Sequence, residues 1–308
     1  MRKILSLMVC LLATITAAQA VSTRNCILQH MGTVRHFDAD QITSAIAAAV
    51  DGDTLFLTVG EFPGFTIDKK ITVKGAGQQT MIKGDVLISI SGTPTLTQTL
   101  LEGVNLDTYN KDIRLQSAMK GVKIKHCSMS RFITNASNSD IVIDRCNIPY
   151  ELILSPNIKS MTVINSYAQI GRSVSSTSNV FDFINCNLCF FYPNYVAGTF
   201  INCAITKYMS SNTISHCFFD HCLFKWDAAI SLDKTTIAQQ CYYDNSCEWS
   251  AASFESLGYM GNDGRVVGYT GGTTPYTLDP VVPKVTQSQI SLDPATRVLN
   301  VNLKVSAK

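Results

Sequence analysis

VKIKHCSM (122–129), IVIDRCNI (141–148), MTVINSYA (161–168), FDFINCNL (181–188), TFINCAI (199–205), CFFDHCLF (217–224) and IAQQCYY (237–243) share one pattern. An apolar, any, apolar run meets two turn residues, then a small residue, any residue and an apolar one. The small residue is the anchor: Cys127, Cys146, Ser166, Cys186, Cys203, Cys222 and Cys241. Successive anchors are 19, 20, 20, 17, 19 and 19 residues apart. Self-similarity at a fixed period marks a solenoid. Each repeat carries period-two alternation and β-branched residues, so its elements are strands. The predicted fold class is all-β: a parallel β-helix, right-handed by the general bias of parallel crossovers.

Face assignments follow from the anchors. Residues three and five before an anchor are predicted to point inward: Ile124 and Val122, Ile143 and Ile141, Val163 and Met161, Phe183 and Phe181. The residue two after it also points in: Met129, Ile148, Ala168, Leu188, Ile205, Phe224 and Tyr243. A weaker early coil, LLEGVNLD (100–107), has Val104 as anchor and Leu106 after it. The residue before the anchor is His126, Arg145, Asn165, Asn185, Asn202, His221 or Gln240. Asn tolerates a left-handed backbone, so this column reads as a tight bend. With the early coils, about eight to ten turns are expected, making a rod roughly 40–45 Å long at the strand spacing.

The anchors also decide how to read the cysteines. Residues 1–20 look like a removable secretory leader: Arg2 and Lys3, an apolar run from Ile4 to Ile15, then Ala18-Gln19-Ala20. Ten of the 11 cysteines lie beyond it in an exported chain. That setting suggests disulfides, but thiols stacked in a core explain the period better, because free Cys behaves as a small hydrophobe. Parallel side chains on neighbouring strands suit an S–S bond badly. Cys26, Cys189, Cys217 and Cys247 are off the column and are the better candidates for an occasional bridge. Without Arg2 and Lys3, 23 of the 25 basic residues remain against 23 acidic ones. So balanced a chain has no field to hold nucleic acid. No later stretch has the ~20 apolar residues of an integral membrane segment.

QITSAIAAAV (41–50) reads as a short helix with Asp40 as N-cap and Ile42, Ala45, Ile46 and Ala49 on one face. DGDT (51–54), a strand ending in VGEF (59–62), and ITVKGAGQQTMIKG (71–84) follow. This succession resembles the opening of pectin-lyase-like right-handed parallel β-helix proteins. The resemblance covers residues 41 to about 250 and implies that the helix plugs the open end of the coil. It is specific for fold and not for activity, since that superfamily includes lyases, hydrolases, esterases and proteins without known chemistry. GNDGRVVGYTGGTTPY (261–276) and the strand VLNVNLKV (298–305) are similar to the tails of secreted β-helix proteins of Bacteroidetes. The expected organisation is a leader (1–20), a β-helix with its N-terminal helical cap (21–254), and an irregular C-terminal cap (255–308) that either covers the far end of the coil or mediates dimerisation.

Chemistry is harder to place. Glycoside hydrolysis wants two nearby carboxyls. Asp144 and Asp220 fall in one column but four coils apart, and Asp182 stands alone in the column Lys123, Val142, Thr162, Asp182, Thr199, Phe218. Asp220 and Asp227 belong to one coil but to different sides. No stacked acid pair is predicted. Lyases of the resembled superfamily pair a basic residue with acids that hold Ca²⁺. Arg145 beside Asp144 is the one Arg/Asp neighbour at a coil corner, Arg131 lies elsewhere, and no acid cluster joins them. Asp51-Gly52-Asp53 and Asp263-Gly264 read as turns rather than metal sites. In Cys186-Asn187-Leu188-Cys189 the alternation turns Cys186 in and Cys189 out, against a shared ligand site. His126 and His221 are bend residues. No cofactor is indicated.

One binding signal remains. CFFY (189–192), TKYM (206–209) and KWDA (225–228) follow the inward residues of three consecutive coils. Stacking is expected to bring Phe191, Tyr192, Lys207, Tyr208, Lys225, Trp226 and Asp227 to one side, an aromatic and charged surface suited to sugar rings. The competing reading packs half of these aromatics in the core or under the tail. The expected function is an exported protein, periplasmic, cell-surface or extracellular, that binds polysaccharide or a surface glycan without catalysis. A polysaccharide lyase or glycoside hydrolase is the alternative, and a structural or adhesive rod the third reading. The oligomeric state is left open.

Overall fold

The computed structural model describes residues 25–91, 99–106, 110–134, 137–153, 158–172, 180–192, 197–207, 215–225, 234–276, 284–292 and 299–306. The proposed leader lies outside them. The chain coils as a parallel β-solenoid. About seven turns carry the anchors, and three earlier rungs extend the stack to ten parallel strands in each of two sheets. We number the rungs 1–10 by their first-sheet strands: Thr54–Leu57, Thr72–Lys74, Leu100–Glu102, Lys123–Lys125, Ile141–Asp144, Ser160–Ile164, Val180–Ile184, Gly198–Ile201, Cys217–Asp220 and Ile237–Gln239. The second sheet runs from Phe65–Ile67 in rung 1 to Tyr242–Tyr243 in rung 10.

Between the sheets the chain bends at one residue. His126, Arg145, Asn165, Asn185, Asn202, His221 and Gln240 all have φ between 48° and 55°, and Gly103 supplies the same bend in rung 3 with φ of 68°. The left-handed column is as the Asn-rich sequence predicts. Only three of these residues are Asn, so the cost of that backbone is carried by packing and pairing on both sides.

The anchors are inside. Cys127, Cys146, Ser166, Cys186, Cys203 and Cys222 are fully buried, as are the predicted inward residues of rungs 4–9. Their role goes beyond filling space. Cys127 Sγ donates to the carbonyl of Lys125 at 3.1 Å, Cys186 to Ile184 at 3.3 Å and Cys203 to Ile201 at 3.3 Å. Ser166 Oγ makes the same bond to Ile164 at 2.7 Å. Each anchor therefore closes the bend behind it, which explains why a hydroxyl substitutes for a thiol in this column. All ten described cysteines are free thiols. Cys26, Cys189, Cys217 and Cys247 are unbridged, contrary to the expectation for off-column cysteines: each belongs to a different part of the stack, and Cys189 faces outward while its motif neighbour Cys186 faces in.

Aromatic rings fill the later rungs. Phe183, Phe200 and Phe219 stack at centroid spacings of 4.8 and 4.7 Å, with Phe190 edge-on to Phe200 at 5.9 Å. One register position repeated every rung places like rings at the strand spacing.

The amino-terminal end is closed. A helix, Ile42–Ala48, buries Ile42, Ala45, Ile46 and the following Ala49. Its start differs from the expected Asp40 cap. Ala39–Gln41 form a 3-10 turn, and Asp38 stands before it with its N–H donating to Gln41 Oε1. Lys69 Nζ closes the helix by donating to the carbonyls of Ile46, Ala47 and Ala49 at 2.9, 2.6 and 2.8 Å, where a cation opposes the helix dipole. A hairpin, Asn25–His30 with Thr33–Asp38, then adds antiparallel to rung 1. Its turn, Met31-Gly32, has positive φ at both residues. Met-Gly lacks the Asn-Gly or Asp-Gly signal of such turns, so the hairpin leaves little trace in the sequence. Asp51-Gly52-Asp53 is a turn, as predicted: Gly52 has φ of 94°, Asp51 Oδ1 accepts from Lys70 N–H, and Asp53 Oδ2 accepts from Val50 N–H.

After rung 10 the chain turns back along the flank. Ala251–Ser256 form a short helix, and Phe254, Cys247 and Val267 pack on Ala204 and Leu223. The strap continues along the bend column toward earlier rungs. Gly268 N–H donates to Asn202 O in rung 8, Tyr269 N–H to Asn187 Oδ1 in rung 7, and Asn165 in rung 6 donates to Thr274 Oγ1. Lys284–Leu292 and Leu299–Ser306 form an antiparallel hairpin of their own.

Candidate functional site

The first sheet offers little beyond isolated acids. Registers place Lys123, Val142, Thr162, Asp182, Thr199 and Phe218 in one outward column, as predicted, with no second acid. Asp144 and Asp220 share the neighbouring column four rungs apart. Both are engaged. Asp144 accepts from Arg145 Nη2 at 2.8 Å. Asp220 accepts from His221 at 2.8 Å, Gln239 at 3.1 Å and Asn262 of the strap at 3.0 Å. Burial pushes the Asp220 carboxyl up, but these bonds outweigh it and hold it below the ordinary carboxylate range. The cluster ties the strap to rung 9.

The outer face of the second sheet is different. Asp112 (rung 3), Arg131 (rung 4) and Glu151 (rung 5) stack in one register column. Asp85, in the coil before, lies against them and accepts from Asp112 N–H at 3.1 Å. Arg114, two residues along from Asp112, reaches back to it. Arg131 grips Asp112 with Nε and Nη2, both at 2.9 Å, and Arg114 Nη2 reaches the same carboxylate at 2.6 Å. Arg114 also lies 3.5 Å from Asp85. The Asp112 side chain is 0% exposed. The bonded Asp112 carboxylate raises the Arg131 guanidinium above its ordinary value, with Glu151 and Asp85 adding to the effect. Gly171 completes the arrangement, since a Cβ there would fall 2.1 Å from Glu151 Oε1.

This cluster corrects two expectations: Asp85 and Asp112 are acids in adjacent coils of one face, and Arg131 has an acid cluster around it. The anchor pattern could not reveal it. Arg131 is four residues after its anchor, Glu151 five, and Asp112 eight after Val104. Bend-to-strand spacing varies, and the rung-5 strand shifts register between Ile148 and Leu152. Columns of the second sheet are therefore invisible to an alignment made on the first.

The predicted aromatic and charged group is only partly brought together. Tyr208, Trp226 and Asp227 lie outside the described residues. Phe191, Tyr192 and Lys207 sit on second-sheet strands, whose registers put Lys207 in the column of Leu152, Ile170 and Phe190. Lys225 instead continues Gln169, Cys189 and Thr206. Lys207 and Lys225 thus occupy alternate columns, not one stripe, because Lys207 is four residues past its anchor and Lys225 three. Lys225 Nζ lies 5.7 Å from the centre of the Trp249 ring, a cation–π contact with the start of the strap.

Chemically, the face is a stripe of donors and acceptors about 30 Å long from rung 3 to rung 9 at the strand spacing. It is ionic at rungs 3–5, and the column of Gln169, Cys189 and Thr206 in rungs 6–8 ends on Lys225 beside Trp249. Asp112 is enclosed and doubly paired, so it is not placed to exchange a proton with a substrate. Among the described residues, no three His, Cys, Asp or Glu side chains gather to hold a metal ion, and no helix is long and apolar enough to cross a membrane. A separate cavity of about 340 Å³ lies at the amino-terminal end, lined by His30, Met31, Asp51 and Asp53. In it His30 Nδ1 lies 2.6 Å from Asp53, a pair that joins the first hairpin to the turn before rung 1.

No family profile matches the chain, and no curated protein matches it. Among solved structures, QnrB1, described as a plasmid-mediated fluoroquinolone resistance protein, is matched at 13% identity over 66% of this chain and 96% of that one. The TM-score of 0.29 is too low for any argument to rest on it. The comparisons name no pectin-lyase family, and what the fold itself establishes is a parallel β-solenoid.

Proposed function

We propose that this is an exported right-handed β-helix of the pectin-lyase-like type that binds extracellular or cell-surface polysaccharide along the outer face of its second sheet, without catalysis. The ladder Asp112, Arg131, Glu151 carries the reading. Around the enclosed Asp112, the partly exposed Asp85, Arg114, Arg131 and Glu151 set acceptors and donors at the strand spacing, which suits the repeated hydroxyls of an extended glycan. Its one fully enclosed acid is held by two guanidiniums. Lys225 with Trp249 adds an apolar ring and a cation at the far end of the same face.

The test is a glycan array probed with the full chain, followed by affinity electrophoresis in the best polysaccharide. Retention that falls about tenfold or more in Arg131→Gln, with no shortening of the polymer, is the expected result. Chain shortening or an unsaturated product would establish the alternative, a lyase or hydrolase. Absence of retention on every glycan would remove the carbohydrate reading.

A further inference from the structure

The two ends of the solenoid are finished differently. At the amino-terminal end the last strand of the sheet is Thr33–Asp38, and this exposed edge carries Arg35, His36 and Asp38. Charged residues on an edge strand discourage pairing with another chain. At the other end Ile237–Gln239 and Tyr242–Tyr243 are the terminal strands of their sheets. From Thr235 to Tyr243 there is no charged residue and no proline.

Rung 10 also leaves the core open. Phe219, Cys222 and Phe224 are completely buried in rung 9. Their successors in the same columns are Ala238, Cys241 and Tyr243. Ala238 and Cys241 are only half-buried, and Tyr243 is 46% exposed although it stacks on Phe224 at 5.1 Å. Tyr243 keeps the inward column of Phe224, but among the described residues no rung lies beyond to cover it. Beside it, on the outward side, Ile237 is 60% exposed.

Among the described residues, the strap does not stay at this end. The strap leaves rung 10 and runs back to rung 6, where Thr274 meets Asn165. The carboxy-terminal hairpin begins at Lys284. Seven residues, 277–283, join it to the strap, and they reach about 25 Å fully extended. The end rung lies four rungs away, about 19 Å along the axis before any sideways path. Capping in cis would take about three-quarters of that reach before any sideways path.

We propose that the open end is an interface with a second copy of this chain. The strand Ile237–Gln239 pairs antiparallel with its counterpart across a two-fold axis, covering Ala238, Cys241 and Tyr243 on both copies. Such a contact is isologous and closes on itself. The guarded amino-terminal edge prevents head-to-tail addition, so the product is a dimer and not a fibre.

The experiment is light scattering and hydrogen exchange on the full chain over a range of concentrations, beside Ile237→Lys and Ala238→Lys. Ile237 is outward, so its replacement leaves the core intact. The expected result is a mass that doubles with concentration, protection of amides 235–243 that rises with it, and a dimer weakened about tenfold or more by either lysine. A monomer at every concentration would overturn the proposal. So would a dimer protected only in residues 284–306, or protection of 235–243 that is independent of concentration, the signature of a cap supplied in cis. None of these outcomes bears on glycan retention, so this proposal and the proposed function fail separately.

Discussion

Phe200→Ala is expected to lower the free energy of unfolding by about 3–5 kcal/mol, the range for emptying a buried aromatic site. Phe200 is fully buried in rung 8 between Phe183 and Phe219 and also meets Phe190 edge-on. Three ring contacts go at once, each worth roughly 0.5–1.5 kcal/mol beyond burial. The site cannot collapse, because neighbouring rungs are held at the hydrogen-bonded strand spacing. In a stack whose repeats touch only their neighbours, the loss is expected to uncouple rungs 9 and 10 from the remainder. Urea unfolding followed by circular dichroism measures it, with Phe218→Ala as control. Phe218 is on the outward face one rung later and only partly buried, and its loss should cost about 1 kcal/mol or less. Equal effects at the two positions would contradict the face assignment.

The second large effect belongs to Asp112→Asn, expected to cost about 2–3 kcal/mol. Breaking an enclosed ion pair costs about 3–5 kcal/mol when the partner charge stays buried. Arg114 and Arg131 are 33% and 26% exposed, so solvent screens part of the loss. Asp85 and Glu151 also remain nearby to accept them. The double variant Asp112→Asn, Arg131→Gln should recover part of the loss if the unpaired guanidinium is its source, and a thermodynamic cycle by chemical denaturation separates the terms. Strict additivity would mean that the two residues are not coupled, and the ladder would lose its basis as a binding surface.

How much of this could be read from the chain depends on where the repeat is rigid. The anchor, the bend before it and the strand leading into it keep constant spacing, so Ile124, Ile143, Val163 and Phe183 could be placed without coordinates. The left-handed bend was legible because Asn165, Asn185 and Asn202 share a column, although His126, Arg145 and Gln240 give no such hint individually. Beyond the anchor, spacing varies, and the second-sheet columns leave no periodic trace in the sequence. Asp85, Asp112, Arg131 and Glu151 are scattered in sequence and meet only through second-sheet registers. Lys207 and Lys225 fall in alternate columns because a one-residue difference after the anchor changes the face. The period alone reads the thiols as small hydrophobes, and their hydrogen bonds to the bend carbonyls explain what size does not, the presence of Ser166 among them.

The stacked interior is best tested by alkylating the native protein with a charged thiol reagent and locating the modified cysteines by mass spectrometry. Cys127, Cys146, Cys186, Cys203 and Cys222 should stay unmodified until the chain is denatured, while Cys189 reacts in the native state. Native labelling of the five anchors at the rate of Cys189 would place them outside the coil and contradict the fold described for this chain.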